Sequence, residues 1–210
     1  MERKSVKILK ILSILLVAVL FVIFVVLLIM REKDIYDAVK KPYLYIDGKA
    51  ISKLEYEYYY ESYRNSYVSD YSFAFDYMDV DSNKPLDEQQ YDENMTFEEL
   101  FEESTKIKIT EVYALNKDGR ERGIDPGAQE RYDDYIKQVS EVCANNGASI
   151  NDYFRKFYGE YATLKRLEPI LKEDFYASAY IDYLIEEKGS YDKAYKYISE
   201  ISEGYEVTSE

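Results

Sequence analysis

The 210-residue chain is long enough for one domain of ordinary size plus an appendage. It has 25 tyrosines, no histidine and no tryptophan, and only 8 glycines and 4 prolines, which favours helices over a β-sandwich or barrel. One cysteine, Cys143, excludes an internal disulfide framework and a cysteine-based metal cluster, and a net charge of −14 disfavours nucleic-acid binding.

Residues 1–10 form a basic tail, and the charge of the rest of the chain has the opposite sign. The tail carries a net charge of +3, so the remaining residues carry −17. A short basic tail is retained in the cytoplasm, which predicts a cytoplasmic N-terminus and an extracytoplasmic body. The basic residues just after the apolar segment weaken this asymmetry without removing it. The acidic body is expected to be repelled by anionic lipid.

Ile11–Met30 is an uninterrupted run of 20 uncharged residues. About 20 helical residues cross a hydrocarbon core of roughly 30 Å, so the run predicts a transmembrane helix. Neither a small-residue cleavage site nor a cysteine follows it, which favours an uncleaved signal anchor over a cleaved signal peptide or a lipoprotein anchor. A buried core helix is the alternative, and it is disfavoured because every face is apolar. A charged connector over 31–42 should continue the helix as far as Pro42.

The stretch Tyr43–Tyr67 carries a predicted hairpin and a helix start. Asp47-Gly48 favours a type I′ turn between two short strands. Ser52-x-x-Glu55 is a capping box, and the helix that follows has an aromatic face. We expect the hairpin either to stand alone on the helices or to gain a third strand from Tyr205–Thr208.

The rest of the chain is predicted to be helical after a polar loop at Asp79–Met95. Asp125-Pro126 is interpreted as the N-cap and first residue of one helix. In the same helix Val142 and Cys143 belong to an apolar stripe, so Cys143 is expected to be a buried, inert thiol. Pro169 should kink or split the longest helix. The predicted helices span 96–122, 125–146, 149–159, 160–188 and 191–202, followed by a frayed tail to residue 210.

No residue pattern predicts catalysis. Without histidine the chain has neither a Ser/His nor a Cys/His site, and it has no phosphate-binding glycine loop. Asp76, Asp79 and Asp81, or Asp87 and Glu88, could hold calcium. They lack the glycine and spacing of an EF-hand loop, so a solvated acidic loop is preferred. No catalytic, cofactor-binding or metal-binding residue is predicted, and no oligomeric state.

Three motifs together resemble the N-terminal chaperone domain of SurA/PrsA-type extracytoplasmic foldases, in the membrane-anchored form common in Gram-positive bacteria. The first is Ile46-Asp47-Gly48-x-x-Ile51-Ser52 leading into the aromatic helix. The second is Asp81–Gln89, and the third is Asn146–Tyr153 followed by Tyr158-Gly159. The resemblance covers roughly residues 8–188. It implies a mainly α fold, in which the transmembrane helix precedes a SurA N-terminal-like helical domain, residues 43–189, with one short β-hairpin, and residues 190–210 form a C-terminal helix and tail.

The resemblance implies chaperone activity without catalysis. Many relatives continue into a parvulin prolyl-isomerase domain whose site uses histidines, whereas only 22 residues follow Lys188 here and none is histidine. We therefore expect a membrane-anchored holdase for unfolded or secreted polypeptides. The alternatives are an assembly protein for a single envelope partner and a truncated peptidyl-prolyl isomerase.

The tyrosines admit two interpretations. Most should build the core, but three consecutive tyrosines span about 200° of a helix and cannot all face one core. Tyrosine offers a large contact area with a polar tip, which suits loose contacts with many clients. The candidate client-binding residues are Tyr56, Tyr58, Tyr59, Tyr60, Tyr63 and Tyr67.

Overall fold

The structure is a computed structural model that describes the backbone of residues 2–71 and 84–209, and the side chains of residues 15–67 and 84–209. Asp76, Asp79 and Asp81, and with them the start of the Asp81–Gln89 motif, lie outside the described residues. Helix α1 runs without interruption over Glu2–Val39. Within it, Leu15–Val39 is long and apolar enough to cross a membrane, and none of its most apolar window is buried against the body. The helix ends just before Pro42, as predicted from the proline.

A three-stranded antiparallel sheet follows α1. Strands β1 (Pro42–Ile46) and β2 (Lys49–Ser52) form the predicted hairpin, with positive φ at both Asp47 and Gly48. Strand β3 (Val207–Thr208) pairs with the free edge of β1, so the strand order is β2-β1-β3. Of the two arrangements expected for the hairpin, the one with a third strand from the C-terminal tail is therefore observed.

The predicted capping residues begin three of the helices. Ser52 Oγ accepts a hydrogen bond from the Glu55 amide at 3.2 Å, where α2 (Lys53–Tyr71) starts. Thr96 and Glu99 form a complete capping box at the start of α3 (Phe97–Glu121). Ser149 caps α5 (Ile150–Tyr158). These starts are confirmed because a cap satisfies backbone donors within its own turn.

The start predicted for α4 is wrong. The helix spans Ala128–Asn145, and its N-cap is Gly127 in the left-handed region with φ 76°. Asp125 instead accepts a hydrogen bond from the Gly127 amide at 3.1 Å, which closes a turn two residues before the helix. The Asp125 carboxylate, predicted to cap α4, therefore accepts its hydrogen bond from a residue that precedes the helix.

Two further expectations need correction. Helix α6 runs over Leu164–Lys188 and begins four residues later than predicted. Of the two effects expected of Pro169, a kink or a split, the split does not occur. Because Pro169 lies in the second turn, a single early backbone hydrogen bond is lost. Val142 is 51% exposed rather than buried, since Cys143, about 100° further round the helix, takes the inward position.

Helices α3 and α6 pack against each other at the centre of the body, with α2, α4 and α7 (Tyr191–Ser202) around them. Their approach is close at Gly119, where a Cβ would lie 2.7 Å from the Tyr176 hydroxyl oxygen. Asp118 accepts hydrogen bonds from the hydroxyls of Tyr180 (2.7 Å) and Tyr197 (3.0 Å), which ties α3 to α6 and α7. A short 3-10 turn at Leu86–Glu88 precedes α3.

Candidate functional site

The candidate tyrosines of α2 fall into two groups that differ in burial. Tyr56, Tyr58 and Tyr59 are buried, whereas Tyr60, Tyr63 and Tyr67 are partly exposed. We call the first group the buried tyrosines and the second the outer tyrosines. Among the six candidates, the outer tyrosines therefore keep the most ring surface that another molecule could contact.

Two of the buried tyrosines, Tyr58 and Tyr59, lie on the side of α2 that faces α6, and Tyr58 also contacts α5. The Tyr58 hydroxyl donates a hydrogen bond to Oδ2 of Asp174 at 2.9 Å, and its ring lies 5.0 Å from that of Tyr158. Tyr59 is 2% exposed and lies in the main core. Burial, reinforced by the Asp174 charge, raises the pKa of both Tyr58 and Tyr59 well above the usual value of 10. Both side chains stay protonated at neutral pH and act as core residues.

The outer tyrosines share one neighbour on α3. The rings of Tyr60, Tyr63 and Tyr67 lie 6.3, 5.8 and 5.3 Å from the ring of Phe101, each edge-on. Edge-to-face packing at these separations stabilises aromatic pairs by about 0.5–1.5 kcal/mol beyond burial. The Tyr60 hydroxyl donates a hydrogen bond to Glu98 at 2.8 Å. Phe101 thus holds the three rings in a row along the seam between α2 and α3.

A groove of about 400 Å³ opens beside this row. Tyr59 and Tyr63 form its α2 wall, Ile107 belongs to its α3 wall, and Asp174 of α6 lies at its edge. We call it the tyrosine groove. Its volume is within the range of ligand-binding clefts. Lys108 and Asp174 pair across its rim at 3.6 Å, which gives a mainly apolar groove a charged border.

Ile107 was not among the residues predicted for the site. It is 54% exposed although it is large and apolar, and it lies on the open side of α3. One sequence feature could have indicated its exposure. Ile107 lies outside the apolar stripe of α3, which includes Phe101, Ile109 and Val112. An isolated apolar residue on a polar face is common, so only the neighbouring tyrosines give it significance.

The arrangement suits apolar contact and hydrogen bonding by tyrosine hydroxyls. Among the described side chains, residues 15–67 and 84–209, no group of three or more Cys, Asp or Glu is placed to hold a metal ion. Asp87 and Glu88 are both exposed on the 3-10 turn. Cys143 is buried on α4 and lies outside the tyrosine groove.

No protein-family model, curated protein or solved structure matches this chain. The resemblance to the chaperone domain of SurA/PrsA-type foldases therefore rests on the sequence motifs alone and stays a prediction.

Proposed function

We propose that this protein is a membrane-anchored extracytoplasmic holdase that binds unfolded or secreted polypeptides at the tyrosine groove. One observation carries the proposal: the exposed Ile107 and the outer Tyr63 stand on opposite walls of an open, mainly apolar groove. Such a surface suits apolar side chains of a client that has not yet buried them.

The residue types at the groove favour loose binding over selective binding. A tyrosine side chain has only two χ angles to immobilise, and it offers both a ring face and a hydroxyl. The groove border carries a cation, Lys108, and two carboxylates, Glu111 and Asp174. Clients of differing sequence can therefore find partners there, which is what a holdase needs.

The anchor supports an extracytoplasmic place of action. Helix α1 is long and apolar enough to span a bilayer once, and the +3 tail before it favours a cytoplasmic N-terminus. The body would then stand on the outer side, where secreted chains emerge. The resemblance to SurA/PrsA-type foldases supports the same place and the same class of client.

The proposal excludes prolyl isomerisation as the activity of this chain. Parvulin sites in the resembled family use histidines, and the chain contains none. A refolding reaction limited by proline isomerisation is the direct assay, and we expect no acceleration. Acceleration would favour the alternative of a truncated isomerase.

The test of client binding uses the full chain in lipid nanodiscs. Light scattering would follow the aggregation of two unrelated unfolded proteins, and we expect suppression in both cases. Ile107→Asp should weaken suppression roughly tenfold, since burying one isoleucine side chain contributes about 1.5–3 kcal/mol. Val142→Asp is the matched control because Val142 is about equally exposed, at 51%, but lies on α4.

Two results would count against the proposal. Absence of suppression by the unaltered chain would remove its basis, and equal losses in both variants would show that the groove is not the binding surface. Crosslinking in cells separates a holdase from an assembly protein. Many clients support the holdase, whereas one dominant partner supports the assembly protein.

A further inference from the structure

A second groove is larger than the tyrosine groove and has a more basic lining. Its volume is about 1010 Å³, and it is bounded by the end of α1, the β1–β2 hairpin and the first turns of α6. Five basic side chains line it against two carboxylates, Glu55 and Glu173. We call it the basic groove. Its positive lining stands out because the chain as a whole has a net charge of −14. The basic residues are Lys40, Lys49, Arg120, Lys165 and Arg166.

Internal pairing leaves much of this positive charge free for a ligand. Arg120 is paired with Glu173 at 2.7 Å. Lys49 lies over the Tyr113 ring at 4.9 Å. Lys40 and Lys165 are exposed, and neither makes a salt bridge with a carboxylate of the described chain. Arg166 donates a hydrogen bond to the Tyr161 carbonyl at 3.0 Å, which leaves its charge without a carboxylate among the described residues. After the Arg120–Glu173 pair is set aside, the lining holds four cations and the single carboxylate Glu55.

The position of the basic groove along α1 places it next to the bilayer. Ile35 and Val39, which line it, follow Met30 by five and nine residues. At 1.5 Å per helical residue they lie about 8 and 14 Å beyond the apolar segment. The polar headgroup layer is roughly 5–8 Å thick on each side of the hydrocarbon core. The groove therefore starts at the outer edge of the headgroups, within reach of long lysine side chains.

The lining also has an apolar part. Ile35, Val39 and Pro169 line the same groove as the lysines and keep part of their surface exposed. Leu54 and Ile170 lie beneath them and are buried. A small free anion would leave the exposed apolar side chains uncovered, whereas a lipid headgroup carries a phosphate together with its glycerol. Mixed cationic and apolar lining is complementary to such an amphiphilic anion.

We propose that the basic groove binds the phosphate-bearing headgroup of an anionic lipid in the leaflet that faces the body. Lys40 and Lys165 would contact the phosphate, and Ile35 and Val39 at the end of α1 would lie beside the glycerol. A body repelled by an anionic surface elsewhere would thereby be held in one orientation, with this face towards the membrane. The inference rests on the anchoring in the proposed function and is independent of client binding.

The experiment is native mass spectrometry of the full chain, released from detergent micelles, titrated with phosphatidylglycerol or phosphatidylcholine. We expect phosphatidylglycerol to bind more tightly. The double variant Lys40→Glu, Lys165→Glu should lose roughly tenfold or more in that affinity, since each basic residue near an anionic surface contributes substantially to attraction. Glutamate at position 165 suits the first turn of α6, so the variant should fold.

The control is Lys137→Glu, Lys193→Glu, which makes the same change in charge at two exposed lysines on α4 and α7. We expect it to keep the preference for phosphatidylglycerol. The neutral variant Lys40→Gln, Lys165→Gln should show an intermediate loss. Equal binding of both lipids, or equal losses in the Glu variant and its control, would overturn the proposal.

A competition arm separates lipid from free anion. Glycerol 3-phosphate or inorganic phosphate in large molar excess should displace little phosphatidylglycerol, because neither covers the apolar lining. Complete displacement would show that the groove recognises a free phosphate group, and the lipid assignment would be wrong. Since the measurement contains no client, failure here leaves the holdase assay unaffected.

Discussion

The two groups of tyrosines on α2 have the same chemistry and adjacent positions but different surroundings. Tyr58 and Tyr59 lie against α5 and α6 and are enclosed, whereas Tyr60, Tyr63 and Tyr67 pack on Phe101 of α3 and keep part of their rings exposed. The difference shows that what lies opposite a residue, and not the residue type, decides whether a tyrosine stabilises the core or offers a surface.

The largest expected effect is a contrast in stability between the two groups. Tyr59→Ala should lower the free energy of unfolding by about 3–5 kcal/mol, because it leaves a cavity in the core. Tyr63→Ala should cost about 1 kcal/mol, since its ring is partly exposed. Urea unfolding of the full chain in micelles, followed by near-ultraviolet circular dichroism, measures both. Equal losses would contradict the division into buried and outer tyrosines.

The enclosure of Tyr59 should also make the stability of the fold depend on pH in the alkaline range. Burial raises the pKa of Tyr59, so the folded state keeps its proton while the unfolded chain ionises near pH 10. Stability is therefore present below pH 10 and falls as pH rises above it, by up to about 1.4 kcal/mol per pH unit for each such tyrosine.

Tyr59→Phe tests this dependence on pH. It removes one of the ionising groups, so its unfolding free energy should fall less steeply between pH 10 and 11 than that of the unaltered chain. Urea midpoints at both pH values provide the measurement. Identical slopes would mean that Tyr59 ionises as easily in the fold as in the unfolded chain.

Removal of a single tyrosine hydroxyl should lower the free energy of unfolding by less than removal of a whole ring. Tyr58→Phe removes a buried hydrogen bond to the carboxylate of Asp174, and we expect a cost of about 1.5 kcal/mol. Tyr60→Phe removes the bond to Glu98 on a more exposed side chain, and about 0.5 kcal/mol or less is expected. A double-mutant cycle with Asp174→Asn isolates the first bond. A coupling energy near zero would show that the Tyr58 hydroxyl contributes nothing there.

The smallest effect concerns Glu55, one turn before the buried Tyr58 and Tyr59. Burial raises the pKa of this carboxyl, an effect that Lys49 partly offsets. A raised carboxyl pKa means that the folded state binds the proton more tightly. Its contribution to stability therefore falls as pH rises from 4.5 through the native pKa.

Glu55→Gln should accordingly stabilise the fold by roughly 0.5 kcal/mol at pH 7 and by almost nothing at pH 4. Urea midpoints of both chains at the two pH values give the comparison. Glu57→Gln is the control, because Glu57 pairs with Lys53 at the surface and should show no gain. A loss of stability at pH 7 in Glu55→Gln would mean that Lys49 outweighs burial.

Local signals explain which elements could be predicted. The caps at Ser52, Thr96 and Ser149 and the Asp47-Gly48 turn are confirmed, since each depends on residues within one or two turns. Asp125 misled the prediction of α4 because an aspartate can cap a helix or close a turn with the same oxygen.

The candidate site was only partly predictable. The tyrosines of α2 are evident from the sequence, but the enclosure of Tyr58 depends on Asp174, 116 residues away. Ile107 becomes significant only when Tyr63 is placed across from it. Val142, predicted to be buried, is exposed, because the periodicity of α4 does not reveal how far the neighbouring helices extend over it.

The amino-acid sequence by itself determined the apolar span, the hairpin, the capped starts of α2, α3 and α5 and the lack of histidine, because these depend on composition and neighbouring residues. The tertiary structure alone decided which tyrosines are enclosed, which of two arrangements the hairpin takes and where the two grooves lie. Each groove joins side chains that are more than a hundred residues apart, from Tyr59 to Asp174 in one and from Lys40 to Arg166 in the other. Such juxtapositions follow from helix packing, which no local pattern in the chain records.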